Sequence, residues 1–150
     1  MRTHEFKTGV WLPVPPEKIF SFFSNAANLD VLTPSWLHFC IMTPQPVEMR
    51  AGALIDYRLR IHGLPMRWRT LIKEWRPPHR FVDEQLHGPY RQWIHEHIFE
   101  PVDDGTLARD IVHYSVPFDI IMHPLFVRPD IERIFAFRRQ SLRTQFGVDK

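Results

Sequence analysis

Residues 81–99 alternate between two kinds of side chain, and this alternation constrains the fold more than any other part of the sequence. A short Gly88-Pro89-Tyr90 turn divides the segment into two predicted strands. Because successive side chains of a strand point to opposite faces, aromatic and ionisable residues gather on one face: Phe81, Asp83, Gln85, His87, Trp93, His95, His97 and Phe99. Such a face is typical of a ligand pocket. The sequence therefore predicts that the chain encloses a small molecule.

The composition indicates one globular domain over residues 1–150. The 150 residues are 44% hydrophobic and 13% aromatic, which suffices for a core and for the walls of an apolar cavity. The formal net charge is only +2 and the basic residues form no dense run, so we expect no nucleic-acid partner. The adjacent Arg138 and Arg139 are interpreted as part of a solvated helix face.

Several classes of protein are not expected. The lone Cys40 excludes an internal disulfide and a metal site built on paired cysteines. We find no apolar signal region, and no apolar run approaches the roughly 20 residues that span a bilayer. No phosphate loop or cofactor motif is present. We therefore expect a cytoplasmic protein, monomeric or homodimeric, with no cofactor, no metal and no membrane span.

The predicted elements are a strand, two short helices, about six strands and a long C-terminal helix. Pro16 and Glu17 favour a helix start, and a stretch over 37–47 that contains two prolines favours an irregular edge strand. Apolar residues recur at helical spacing from a predicted cap at Asp130 to Phe146. The apolar, proline-containing segment 118–127 is predicted to be a connector outside that helix.

This order of elements, together with two motifs, resembles the START-like (SRPBCC, or helix-grip) superfamily, and more narrowly a bacterial subgroup of small ligand-binding proteins. The first motif is Asp83-x-Gln85-x-x-Gly88-Pro89-Tyr90-x-x-Trp93-x-His95-x-His97-x-Phe99, and the second is Asp110-x-Val112-x-Tyr114-x-x-Pro117-Phe118. The chain departs from the subgroup at Asp119, where relatives carry Gly. The resemblance implies an α+β helix-grip fold, in which a curved antiparallel sheet wraps around the C-terminal helix and leaves a cavity. It does not imply a particular reaction.

The hairpin register predicts how the ionisable residues meet. A loop over 102–105 would place His97 opposite Asp110 and His95 opposite Val112, and face parity places Asp83 opposite one of the two histidines. Three interpretations remain open. The stripe is a satisfied internal network, a grip for the polar end of an apolar ligand, or a metal or acid–base site.

These patterns lead to two functional hypotheses. The first is non-enzymatic binding or carriage of a small hydrophobic molecule. The second is a polyketide cyclase or aromatase-like enzyme, in which His95 or His97 acts as general base, oriented by Asp83 or Asp110. The candidate ligand-binding residues common to both are Tyr57, Trp68, Phe81, Asp83, Gln85, Trp93, His95, His97, Phe99, Asp110, Tyr114 and Phe135.

Overall fold

The computed structural model describes residues 2–147. A curved seven-stranded antiparallel sheet packs against a long C-terminal helix, which confirms the predicted helix-grip fold. The strands are β1 (His4–Leu12), β2 (Cys40–Ile41), β3 (Leu54–Ile61), β4 (Leu64–Arg76), β5 (Arg80–His87), β6 (Gln92–Val102) and β7 (Gly105–Ser115). Their order in the sheet is β1-β7-β6-β5-β4-β3-β2.

Alternating burial along the strands creates one dry face. On β3, Ile55 and Leu59 are buried whereas Arg58 and Arg60 are on the other face. The same alternation holds on β6, where His95, His97 and Phe99 are buried. Val82 of β5 is an exception, because it is buried although it lies on the outward face.

Short helices after β1 close one end of the dry face. Helix α1 (Pro16–Phe23) begins with proline in its first turn, and the 3₁₀ segments Ala26–Asp30 and Ser35–Leu37 follow. The side chain of Phe20 packs edge-on against Phe81 and Phe99. Only Cys40–Ile41 of the predicted edge strand over 37–47 forms a strand.

The prediction that the segment 118–127 is a connector outside the helix is wrong, because residues 119–127 are helical. Helix α2 (Asp119–Met122), a π-helical turn (His123–Val127) and helix α3 (Arg128–Gln145) follow one another without a break. The π-helical turn contains Pro124, which lacks the backbone N–H of a regular helix. Helix α3 thus begins two residues before the predicted cap at Asp130. No helix among residues 2–147 is long and apolar enough to cross a membrane.

Helix α3 presents one stripe of side chains to the sheet. Its buried residues are Ile131, Phe135, Arg138 and Leu142, spaced as one helical face requires. The interpretation of Arg138 as a solvated residue is therefore wrong, since only 8% of Arg138 is exposed.

Candidate ligand cavity

A cavity of about 500 Å³ lies between the dry face of the sheet, helix α3 and the 3₁₀ segments. Seven of the twelve candidate residues line it: Tyr57, Trp68, Asp83, Trp93, His95, His97 and Phe135. The lining is largely apolar and aromatic, and the ionisable side chains of Asp83, His95, His97 and Arg138 lie on one part of it.

The other five candidates lie behind this lining. Phe81 and Phe99 belong to the buried aromatic cluster around Phe20. The side chain of Gln85 is bonded to the backbone N–H and carbonyl of Tyr90, so it holds the β5–β6 connection in place. These three residues support the cavity wall without lining it.

Asp110 and Tyr114 project from β7 and are also outside the lining. Asp110 accepts hydrogen bonds from cavity residues, as described below. Tyr114 is fully buried and its hydroxyl is bonded to Nε2 of His123, 2.7 Å away. Whether any of the twelve residues contacts a ligand stays a prediction.

The register of the sheet is the predicted one, but the hydrogen bonds cross it. His97 lies opposite Asp110, and Asp83 lies opposite His95. Nevertheless His97 Nε2 is 2.5 Å from Asp83 Oδ2, and His95 Nε2 is 2.7 Å from Asp110 Oδ1. Each histidine thus bonds the carboxylate that lies diagonally from it, and the four side chains form one network across β5, β6 and β7.

Arg138 reaches this network from helix α3. Its Nε donates to Asp110 Oδ2 at 3.3 Å, and its Nη2 lies 3.2 Å from Asp110 Oδ1. The guanidinium also lies 5.1 Å from the centre of the Phe23 ring, close enough for a cation–π contact. One permanent cation therefore neutralises one of the two carboxylates. Sequence reasoning missed Arg138, although its spacing from Ile131 and Phe135 places it on the buried stripe.

The hydrogen bond between Arg138 and His97 determines which ring nitrogen of His97 carries the proton. Arg138 Nη2 is 3.1 Å from His97 Nδ1, and a guanidinium can only donate. Nδ1 of His97 is therefore unprotonated, and its Nε2–H donates to Asp83. His97 is a neutral imidazole held between a cation and a carboxylate.

Burial and charge shift the pKa values of three groups in the network. Burial, together with the charges of His95 and Arg138, lowers the pKa of His97 well below its ordinary value. Burial raises the pKa of Asp83, although His95 and Arg138 oppose this. Burial acts in the same direction on Asp110, but Arg138 and the hydrogen bond from His95 outweigh it and lower the pKa of Asp110.

Aromatic stacking holds both imidazoles in position. The ring of His97 stacks on Phe81, with centroids 3.9 Å apart and planes 10° from parallel. On its other side it stacks on His95, with centroids 3.7 Å apart. Phe135 of helix α3 then meets His95 edge-on at 5.4 Å. The stack restrains the rings, so each points its nitrogens at the carboxylates.

Thr70 adds a second polar feature to the lining. It is only 2% exposed, its hydroxyl oxygen makes no hydrogen bond of good geometry among residues 2–147, and the Tyr57 hydroxyl lies beside it. On the sheet it is the diagonal neighbour of Asp83, because Thr70 pairs with Gln85. Because the Thr70 hydroxyl keeps donor capacity, it can bond a polar group that enters the cavity.

Sequence reasoning also missed the lining residues that precede β3. Leu29, Leu32, Trp36, Leu37 and Phe39 come from the two 3₁₀ segments and the loop beside them. They show no regular period, so only the local density of apolar residues could have pointed to them. His62 is also part of the lining, where it is half exposed and bonded to Asp130.

Among residues 2–147, two groups of side chains have donor atoms close enough together to hold a metal ion. One is Asp83, His95 and His97, and the other is His4, Asp119 and His123. In the first group, Arg138 donates a hydrogen bond to Nδ1 of His97, so the lone pair of that nitrogen is already used. The guanidinium also places a positive charge beside the group. Arg138 therefore disfavours a cation at that position.

A family model described as polyketide cyclase / dehydrase and lipid transport matches residues 12–143. No curated protein sequence matches the chain. Several solved structures share the fold of this chain. Their sequence identity to it is low, so they show the fold alone.

Three of these structures span nearly the whole chain. The Zhui aromatase/cyclase from Streptomyces sp. R1128 has a TM-score of 0.75 and 11% identity, over 96% of this chain and 93% of that one. Ginseng major latex-like protein 151 from Panax ginseng has a TM-score of 0.73 and 8% identity, over 97% and 98%. TTHA0849 from Thermus thermophilus has a TM-score of 0.64 and 18% identity, over 94% and 92%.

Proposed function

Because the chain belongs to the family of polyketide cyclase / dehydrase and lipid transport proteins, we propose that it binds and carries a small hydrophobic molecule in its cavity. One observation carries this proposal. A cavity of about 500 Å³ has mainly apolar walls and a compact group of polar side chains on one side. Ligand sites commonly combine these two features, since apolar walls supply affinity and polar groups supply orientation.

The internal hydrogen bonds support carriage more than chemistry. Both carboxylates and both imidazoles of the network already bond to each other or to Arg138. A network with so many internal hydrogen bonds is a rigid end wall that keeps its shape when a ligand enters or leaves. The walls made by Trp68, Trp93 and Phe135 would then make most of the contact area.

Titration with Nile red, an uncharged hydrophobic dye, tests the proposal. We expect saturable binding that the substitution Ile134→Trp abolishes, because Ile134 lines the cavity and a larger side chain fills it. The control is Ala136→Trp, which adds similar bulk at an exposed position of the same helix. Equal binding by all three proteins, or no binding by the wild type, would contradict a ligand cavity.

A second candidate function is a cyclase-like reaction, and the His95–Asp110 pair is the observation that favours it. His95 lines the cavity, and its Nε2 bonds to Asp110 on the side away from it. Nδ1 of His95 is 3.9 Å from the cavity-lining Asp83, beyond hydrogen-bond distance, so it is available to accept a proton. In this role His95 Nδ1 takes a proton from a carbon between two carbonyl groups, and the resulting enolate attacks a further carbonyl of the same chain.

Deuterium exchange of 1-phenyl-1,3-butanedione in D₂O, followed by NMR, tests this second function. A cyclase-like site accelerates the exchange, and His95→Gln removes the acceleration. The control is His113→Gln, since His113 lies outside the cavity lining and bonds Glu5. Exchange at the rate of the buffer alone would leave only the carrier function.

A further inference from the structure

The charges around the cavity discriminate between classes of hydrophobic ligand. Asp83 and Asp110 are two carboxylates, and within residues 2–147 Arg138 is the one permanent cation bonded to this pair. His97 is neutral, because its Nδ1 accepts from Arg138. The polar end of the cavity therefore has one carboxylate more than it has fixed cations.

Charged groups elsewhere on the lining do not alter this balance. Asp130 is bonded to His62, which is half exposed, and Arg133 lies over the ring of Trp36 at 5.0 Å. These groups contribute one carboxylate and one guanidinium. In the described part of the chain, neither has a hydrogen bond to the network of Asp83, His95, His97, Asp110 and Arg138.

The polar atoms left over at this end are mostly acceptors. The carboxylate of Asp83 receives one short hydrogen bond, from His97, and can accept more. Nδ1 of His95 accepts when its Nε2–H donates to Asp110. The Thr70 hydroxyl, which can donate as well as accept, makes no hydrogen bond of good geometry among residues 2–147 and lies diagonally from Asp83. A ligand group that donates hydrogen bonds satisfies Asp83 and His95, whereas a carboxylate only accepts and satisfies neither.

We infer that the cavity selects hydrophobic ligands that end in a hydroxyl or an amine and rejects ligands that end in a carboxylate. This inference rests on the proposed ligand-binding function and names the class of ligand. A hydroxyl donates to Asp83 or to His95 and accepts from Thr70. An amine, which is cationic at neutral pH, also supplies the positive charge that the second carboxylate lacks. A carboxylate would be a third anion beside a single guanidinium in a site of low dielectric constant.

Displacement of Nile red at neutral pH by three molecules with the same ring system tests the inference: 2-naphthylmethanol, 2-naphthylmethylamine and 2-naphthoate. We expect the alcohol and the amine to displace the dye, and the carboxylate to need at least about tenfold higher concentration. Displacement by 2-naphthoate at equal or lower concentration overturns the inference but leaves the ligand-binding function standing. If Nile red does not bind at all, or none of the three displaces it, the proposed function fails and the inference fails with it.

Two variants separate charge from shape. Asp83→Asn removes the excess carboxylate while keeping the side-chain shape, so the disadvantage of 2-naphthoate should shrink severalfold. Glu84→Gln removes a carboxylate from the opposite face of the same strand and should leave the ratio unchanged. If circular dichroism shows that Asp83→Asn does not fold, the comparison of the three molecules on the wild type still decides. A ratio that Asp83→Asn leaves unchanged, in a folded protein, would overturn the role of charge.

Discussion

Arg138 donates a hydrogen bond from its Nη2 to Nδ1 of His97, 3.1 Å away, across the interface between helix α3 and the sheet. This contact links the C-terminal helix to the ionisable network and determines which nitrogen of His97 carries the proton. The helix therefore contributes to the polarity of the cavity wall as well as to its shape.

Replacement of Arg138 should be among the most destabilising changes in the chain. Arg138→Met keeps an extended apolar side chain but leaves Asp110 buried without its cation, so we expect a loss of about 3–5 kcal/mol in the free energy of unfolding. Arg139→Met is the matched control, because the neighbouring Arg139 donates to an uncharged partner, the Thr8 hydroxyl at 2.7 Å, and its loss should cost about 1 kcal/mol. Urea unfolding followed by circular dichroism measures both, and equal costs would contradict the structural role of Arg138.

Replacement of Asp110 should distinguish loss of charge from loss of shape. Asp110→Ala leaves Arg138 and His95 buried without their partner, and we expect it to cost about 2–4 kcal/mol. Asp110→Asn keeps an acceptor oxygen at the same place and should cost less. Thermal melts of the two variants measure the order, and an Asn variant less stable than the Ala variant would show that Asp110 is not held in this network.

The two threonines buried at the sheet should respond in opposite directions to removal of the hydroxyl. Thr70→Val removes a hydroxyl that makes no hydrogen bond of good geometry among residues 2–147 and should raise the stability of the empty protein by about 1 kcal/mol. Thr106→Val removes a hydroxyl that donates to the carbonyl of Val14 at 2.7 Å and should lower it by about 1 kcal/mol. Differential scanning calorimetry measures both changes. A Thr70→Val variant destabilised as much as Thr106→Val would mean that the Thr70 hydroxyl has a partner.

The pH dependence of stability should contain two opposed contributions from the network. The pKa of His97 is lowered in the folded protein, so on acidification through about pH 6.5 the unfolded chain takes up a proton that the folded protein does not. The stability that His97 contributes is thus present above that pH and is lost below it. The pKa of Asp83 is raised, so its contribution is present below about pH 3.9 and is lost as the pH rises through the folded-state pKa.

Single substitutions separate these contributions. From about pH 6.5 down to pH 5, His97→Gln should lose less stability than the wild type, by at most about 1.4 kcal/mol per pH unit. Asp83→Asn should lack the loss of stability that Asp83 causes in the wild type as the pH rises above about 3.9. Urea unfolding across both pH ranges measures the slopes, with His113→Gln as the control outside the network. Slopes changed in the reverse order would contradict the directions assigned to the two pKa values.

The register of the hairpin was predictable, but the hydrogen bonds were not. The length of the β6–β7 turn and the parity of the strands suffice to place His97 opposite Asp110. Register determines where Cβ atoms lie, whereas the crossed bonds depend on side-chain rotamers, which Arg138, Phe81 and the carboxylates select together. The sequence pattern therefore identified the members of the network, apart from Arg138, and not its connections.

Two other features could not be derived from local patterns. Residues 119–127 are helical, although the proline in this segment favours a break in the helix. The helix continues through a π-helical turn, which no short-range sequence signal predicts. The sequence predicts a surface position for Arg138, because charged residues are mostly exposed. Its burial depends on the partner that β7 supplies, which is a tertiary relationship.

The length of the two-residue turn between β6 and β7 determines which side chains of β7 face the cavity. Asp103 and Asp104 both have positive φ, 47° and 61°, as a tight hairpin turn requires, and the turn pairs Val102 with Gly105. Five residue pairs, or about 17 Å, separate this turn from His97 and Asp110. If one residue were inserted there and the pairing slipped to accommodate it, Asp110 would turn to the outer face and Arg138 would meet the side chain of Arg109 or Ile111 instead. To keep Asp110 on the cavity side, a longer turn must preserve the register of β6 and β7. Such a turn gains two residues, or one residue with a compensating bulge.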